Sequence, residues 1–253
     1  MPVAGGRAGG RWTLVRLADG GALARAAAEE VARRAEAVVA ARGRFTLALS
    51  GGSTPRALYA LLADPEAPWR SRVPWSRVHV FFGDERNVPP DHPDSNYRMA
   101  REALLAHVPV GSVHRMQGER PAAEAAELYE ADLRHEFGAA GVPALDLALL
   151  GLGADGHTAS LFPGSPVLEE RTRWVAAPFV PHLDAHRITL TVPVLERARA
   201  VLFLVSGADK ASALARLLSP PPGELLVPAA RLHPEGDRLV LADEAAAALA
   251  QGR

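Results

Sequence analysis

The chain has 253 residues, 48% of them hydrophobic and 23% charged, values of a folding globular protein and not of a disordered one. Lys plus Arg number 28 against 29 Asp plus Glu, a formal charge of −1, which excludes a basic nucleic-acid-binding domain and a polybasic membrane patch. With no cysteine, disulfides, thiolate nucleophiles, iron–sulfur clusters and cysteine zinc sites are excluded together, and a reducing, cytoplasmic setting is expected. The N-terminus MPVAGGRAGGR lacks the apolar segment of a secretory signal, and no run approaches the ~18 apolar residues of a bilayer span.

Residues 1–10 read as a flexible tail ahead of a single domain over 11–253. WTLVRL (12–17) is a short strand. An Ala-rich helix follows from Gly21 to Arg42, with Gly43 as its C-terminal cap. FTLALS (45–50) reads as a buried strand and TPRALYALLA (54–63) as a helix with Pro55 at its first position. RVHVFF (77–82) is a strand. Asp94 or Ser95 caps a helix through about Ala106, and Pro121 opens another that stops at Gly138. LDLALLGLG (145–153) is an almost continuous apolar strand entering a glycine-rich loop. RWVAAPFV (173–180), HRITLTV (186–192) and AVLFLVS (200–206) are further strands, the last followed by a helix from Ala208 to Leu218. Strands alternating with helices predict an α/β fold: one mainly parallel, twisted, Rossmann-like sheet with helices on both faces.

In such sheets ligands bind beyond the carboxyl ends of the strands, and three of these ends carry unusual chemistry. After the second strand, Gly51 and Gly52 let backbone approach a ligand, and Ser53 or Thr54 caps a helix whose first N–H groups face any anion there. The alternative is an ordinary strand-to-helix turn; the lysine and spacing of a Walker A loop are missing. After RVHVFF, Asp84, Glu85 and Arg86 stand together, and because successive residues point different ways only one or two of them reach a cleft. After the most apolar strand comes Gly151-Leu152-Gly153-Ala154-Asp155-Gly156-His157. This matches a dinucleotide fingerprint, yet Pro163 and Gly164 leave no room for its helix, and the next strand ends in Val180-Pro181 without the required acid, so no cofactor is expected. His157 is instead placed to take a proton from water, with Asp155 able to fix its tautomer; a structural hydrogen bond is the competing role. Arg187 and Lys210 are candidate partners for a phosphate dianion, or surface charges. His182 and His186 lack helical context and no HExxH occurs, so no metal is expected.

Together LALSGGSTPRALY (47–59), FFGDERNVPPDHPDSNYRM (81–99), DLALLGLGADGHTASLFPGSP (146–166), HRITLT (186–191) and SGADKA (206–211) resemble the glucosamine-6-phosphate isomerase/6-phosphogluconolactonase family, over about residues 10–250 and in family order. Within it the lactonases are the nearer match. The resemblance implies hydrolysis of 6-phospho-D-glucono-1,5-lactone in the oxidative pentose phosphate pathway, with His157 as the base that activates water and Asp155 beside it. It implies a phosphate site from Gly51, Gly52, Ser53, Thr54, Arg187 and Lys210, and substrate contacts from Asp84, Arg86, Gly153 and Gly156. In the isomerase pattern a glutamate stands five residues after the histidine and assists ring opening; here that position is Phe162. The implied partner is a sugar-phosphate lactone, with neither nucleic acid nor membrane involved and the oligomeric state open. A glucosamine-6-phosphate isomerase/deaminase and a non-catalytic sugar-phosphate-binding module are the alternatives.

Overall fold

The computed structural model describes residues 11–250, so the expected tail at 1–10 lies outside them. The strands are β1 (Thr13–Leu17), β2 (Phe45–Leu49), β3 (Val78–Phe82), β4 (Asp84–Arg86), β5 (Ser112–Val113), β6 (Leu147–Gly151), β7 (Val175–Ala176), β8 (Phe179–Val180), β9 (Ala185–Leu190), β10 (Ala200–Val205) and β11 (Asp237–Asp243). The α-helices are α1 (Gly20–Arg42), α2 (Ser53–Ala63), α3 (Pro68–Arg72), α4 (Asn96–Ala100), α5 (Ala122–Phe137), α6 (Val192–Arg197) and α7 (Ala211–Leu218). Seven strands form one parallel sheet in the order β1-β11-β10-β6-β2-β3-β5. A smaller antiparallel sheet, β4-β9-β7 with β8 also on β9, lies beside it.

Strand periodicity divides the core. Phe45, Leu47, Leu49, Val80 and Phe82 point to the face covered by α1 and α2, where Leu23, Ala27, Val31, Leu58 and Leu62 meet them. Ala48, Phe81, Ala148, Leu150 and Phe203 point to the other face, closed by Tyr129 and Leu133 of α5, Leu214 of α7, and Ile188 and Leu190 of β9. Because both faces are covered, β2 and β10 are buried along their whole length and read as unbroken apolar runs. The expected parallel sheet with helices on both faces is the observed one.

Helix ends follow their local chemistry. Asp19 accepts from Ala22 N at 2.7 Å to start α1, and Gly43 ends it in the left-handed region at φ 79°. Ser95 caps α4 by accepting from Arg98 N at 3.1 Å. Several expectations need correction. The second helix begins at Ser53 with Gly52 as N-cap, so neither Ser53 nor Thr54 supplies a cap and Pro55 is its third residue. The helix after Ser95 is α-helical only to Ala100 and continues as a π-turn through Leu105. RWVAAPFV is two short strands, because Pro178 interrupts the pairing with β9. The helix expected from Ala208 opens as a 3-10 turn through Lys210. The sequence reading did not include β4, β5, β11, α3 or α6.

This topology fixes where a ligand can sit. From β2 the chain moves outward through β3 to β5, whereas from β6 it moves the other way through β10 to β11. β2 and β6 are neighbours, with Leu47 opposite Leu147 and Ala48 opposite Ala148. Their carboxyl ends therefore diverge into loops leading to opposite sides, the crevice in which open α/β sheets bind ligands.

Candidate active site

A cavity of about 280 Å³ opens at this crevice. Ser50, Gly51, Gly52, Ser53 and Thr54 line it from β2, Asp84 and Arg86 from β4, Gly153 and His157 from the loop after β6, and Ser206 and Lys210 from the end of β10. Of the residues expected at the site, Asp155, Gly156 and Arg187 do not line it.

Each wall has a local cause. Tyr59 of α2 reaches back to the end of β2, its hydroxyl donating to Ser50 O at 2.9 Å and accepting from Ser50 N at 3.0 Å. Burial holds this phenol protonated, its pKa pushed well up. The strand end is thereby satisfied, and the chain enters α2 through Gly52 at φ 106°. With no side chain capping α2, its first N–H groups stay directed at the cavity, where the helix dipole favours an anion. Lys210 lines the same cavity, with Nζ 2.9 Å from Asp209. Ser50 Oγ is buried and has no hydrogen-bond partner.

The three residues of β4 divide as strand alternation requires. Asp84 and Arg86 face the cavity, while Glu85 is buried beneath, accepting from Asn96 N at 2.7 Å, Tyr97 N at 2.8 Å and Ser95 Oγ at 3.1 Å. Burial pushes the Glu85 carboxyl up, against the N–H bonds from Tyr97, Asn96 and Arg86 that favour its charge. Asp84 accepts from Ser160 Oγ at 2.6 Å, and Asn96 Nδ2 donates to Asp84 O at 2.9 Å. Arg86 donates to Asp94 O. Antiparallel pairing sets Arg187 directly opposite Arg86. Arg187 is half-buried and its pKa is lowered, first by burial and then by the charge of Arg86.

The loop after β6 is built around one imidazole. His157 Nδ1 lies 2.6 Å from Asp155 Oδ1, which also accepts from His157 N at 3.1 Å. Burial raises the Asp155 pKa, but the His157 N–H and imidazole outweigh it and hold the carboxylate below its ordinary range. The bond to an ionised carboxylate assigns the proton to Nδ1 and leaves the Nε2 lone pair available. Phe162 packs against the ring, tilted by 32° with 4.3 Å between centroids, and His182 stands edge-on to Phe162 at 5.3 Å. Gly153 permits this arrangement, since a Cβ there would overlap His157 Nδ1 and Asp155 Oδ1. Gly156 has φ 83° and its missing Cβ leaves room for Val227, a packing role away from the cavity. The N–H groups of Gly153, Gly156 and His157 are all spent inside the loop, on His157 O, Gly153 O and Asp155. They are not free to serve as oxyanion donors.

A family model described as glucosamine-6-phosphate isomerases/6-phosphogluconolactonase matches residues 18–241, nearly the whole described chain. The chain belongs to this family. Among curated relatives, a 6-phosphogluconolactonase of Nostoc sp. is 42% identical over 243 residues, covering 93% of this chain and 97% of the relative. The human 6-phosphogluconolactonase is 42% identical, covering 90% of this chain and 89% of its own. Among solved structures, 6-phosphogluconolactonase from Trypanosoma cruzi superposes with a TM-score of 0.82 at 30% identity, over 96% of this chain and 98% of that one.

Sequence reasoning missed Asn96 and Ser206 as lining residues of this cavity, and Ser160 as the hydrogen-bond partner of Asp84. Asn96 lies 12 residues beyond Asp84, and only the folding of β4 against the start of α4 brings them together. Ser206 is held by Asp243 at the end of β11, a strand whose LVLA run carried the signal.

Proposed function

We propose that the chain hydrolyses 6-phospho-D-glucono-1,5-lactone to 6-phosphogluconate, the second step of the oxidative pentose phosphate pathway, in the cytoplasm and through the unit spanning 11–253. The observation that carries this is the His157–Asp155 pair beside an uncapped helix N-terminus and Lys210 in one cavity. The lactonases named above support the substrate.

In this reading the phosphate sits on the N–H groups of Ser53 and Thr54 at the start of α2, with Lys210 as counter-charge and Arg187 reinforcing the field of Arg86. Asp84, Arg86 and Ser50 Oγ contact the sugar. Gly51, Gly52 and Gly153 let it approach the backbone. His157 Nε2 takes a proton from water as the water oxygen attacks the lactone carbonyl, and Asp155 stabilises the imidazolium that results. The tetrahedral oxyanion, with loop donors already engaged, is met by the guanidinium of Arg86. Collapse breaks the bond to the ring oxygen, which takes the proton back from His157, leaving the open-chain acid. An activated ester needs nothing more than this base and charge stabilisation.

Phe162 decides against sugar isomerisation. It is buried on the His157 ring, so no carboxylate stands where that chemistry calls for one. The test compares acid release from 6-phosphogluconolactone and from unphosphorylated gluconolactone, and ammonia release from glucosamine 6-phosphate. Rapid hydrolysis of the phosphorylated lactone alone, with the preference lost in Lys210→Ala, is expected; ammonia release, or equal rates on both lactones, would overturn it.

A further inference from the structure

At the opposite end of β3 from the active site, strand alternation and one helix bring a second polar cluster together. His79 pairs in register with Ser112, and Ser112 and His114 are two apart, so all three side chains project to the same face. α5 crosses that face and adds Asp132 and Glu136, one turn apart. The ring of His114 stacks flat on Phe81 at 4.4 Å and is nearly buried, with 11% of its side chain exposed.

We propose that this cluster is a binding site for a divalent transition metal, Zn²⁺ in the first instance, with His79 Nδ1, His114 Nε2 and a Glu136 carboxylate oxygen as ligands. The two ring nitrogens converge on one point: Ser112 Oγ lies 2.9 Å from His79 Nδ1 and 2.8 Å from His114 Nε2. Glu136 Oε2 is 3.9 Å from His79 Nδ1, and the three donor atoms lie within 4.8 Å of one another. Tetrahedral zinc with bonds near 2.1 Å sets its donors about 3.3 Å apart, so the site closes by side-chain shifts of about an ångström. Ser112 Oγ, or a water in its place, completes four-coordination.

The tautomer is already set. His114 Nδ1 is 2.9 Å from Asp132 Oδ2, so the Nδ1–H donates to the carboxylate and the Nε2 lone pair is turned to the ligand side. This carboxylate–histidine arrangement is what orients imidazoles on metals, and it gives Asp132 a positioning role. A set of two nitrogens and one oxygen selects zinc or its neighbours over magnesium or calcium, which prefer oxygen alone. Glu136 is shared with Arg44, whose guanidinium stands 3.5 Å away and would turn to solvent on metal entry. The bound ion would tie the two-residue edge strand β5 to β3 and α5.

The experiment titrates chelator-treated, full-length protein with Co²⁺, read by its visible d–d absorption, and with Zn²⁺ in competition. One equivalent of tetrahedral Co²⁺, displaced by Zn²⁺, is expected, with affinity weakened about 10–100-fold in the isosteric Asp132→Asn and lost in His114→Ala. His157→Ala, which removes the carboxylate-paired imidazole of the active site, leaves the binding in place. No tetrahedral band in the wild type, or binding that survives His114→Ala and disappears in His157→Ala, would overturn the proposal. Asp132→Asn with wild-type affinity would overturn the positioning role of Asp132.

Discussion

His157 and Asp155 are separated by one glycine, and that spacing does two things at once. The Asp155 carboxylate accepts from the backbone N–H and lies against the ring nitrogen of the same residue, so imidazole position and tautomer are fixed by a single group. Asp155 does not line the cavity, which makes it a residue that acts through His157. Asp155→Asn removes the charge that stabilises the imidazolium and relaxes the tautomer. It is expected to lower kcat roughly 10–100-fold with KM little changed. A raised KM at unchanged kcat in steady-state kinetics would mean that Asp155 holds substrate instead. Ala159, two residues on, faces the cavity at φ 47°, a left-handed conformation that costs a non-glycine residue about 1 kcal/mol. The fold accepts that strain where the loop turns beneath the site.

Among the elements, α2 and β4 matter most, and they differ in how far their sequences disclosed them. The SGGST segment was legible because a buried strand running into paired glycines and a helix leaves few alternatives. What it concealed was the cap: Gly52, not a hydroxyl, starts α2, which leaves the helix N-terminus more open to an anion than expected. β4 was hidden because three residues carry no periodicity, and its pairing with β9 lies 100 residues away in the chain or more. The alternation of Asp84, Glu85 and Arg86 was foreseen; that Glu85 would be the buried anchor of α4 was not, since its partners Ser95, Asn96 and Tyr97 become neighbours only on folding. The β2 side of the crevice is held by Tyr59, which ties α2 to the strand end by satisfying both backbone groups of Ser50. Tyr59→Phe leaves these buried groups unpaired and is expected to cost about 1–3 kcal/mol in a urea unfolding titration. Unchanged stability would show that the strand end finds other partners.

The whole molecule responds to pH through its carboxylates. Among the described residues ten (Glu29, Glu30, Glu36, Glu102, Glu119, Glu130, Asp155, Glu169, Glu170 and Asp243) sit below their ordinary pKa in the fold, Glu170 at about 2 because backbone N–H groups of Arg173 and Thr172 bond it. A lowered pKa contributes stability above the unfolded value that disappears as pH falls through the folded one. Glu85, raised by burial, has the opposite sign: its contribution is complete below the unfolded pKa and is lost as pH rises through the folded one. The majority prevails, and His79, its pKa lowered by burial, adds a loss of the same sign below about 6.5, so the melting temperature should fall on acidification, most steeply below about 4.5. A melting temperature that rises on acidification would show Glu85 outweighing the rest. At this scale the parallel sheet and its crevice were legible from the alternation of apolar runs, while the order of the strands, and with it the meeting of loops at β2, β6 and β10, is a long-range result of packing. That meeting is what makes His157 a candidate base and not a loop histidine. The most direct test generates 6-phosphogluconolactone with glucose-6-phosphate dehydrogenase and follows acid release above the spontaneous rate. The wild-type chain should accelerate it strongly, with His157→Ala slower by about 10²–10⁴-fold; a His157→Ala variant that matches wild type would contradict the assignment of the base.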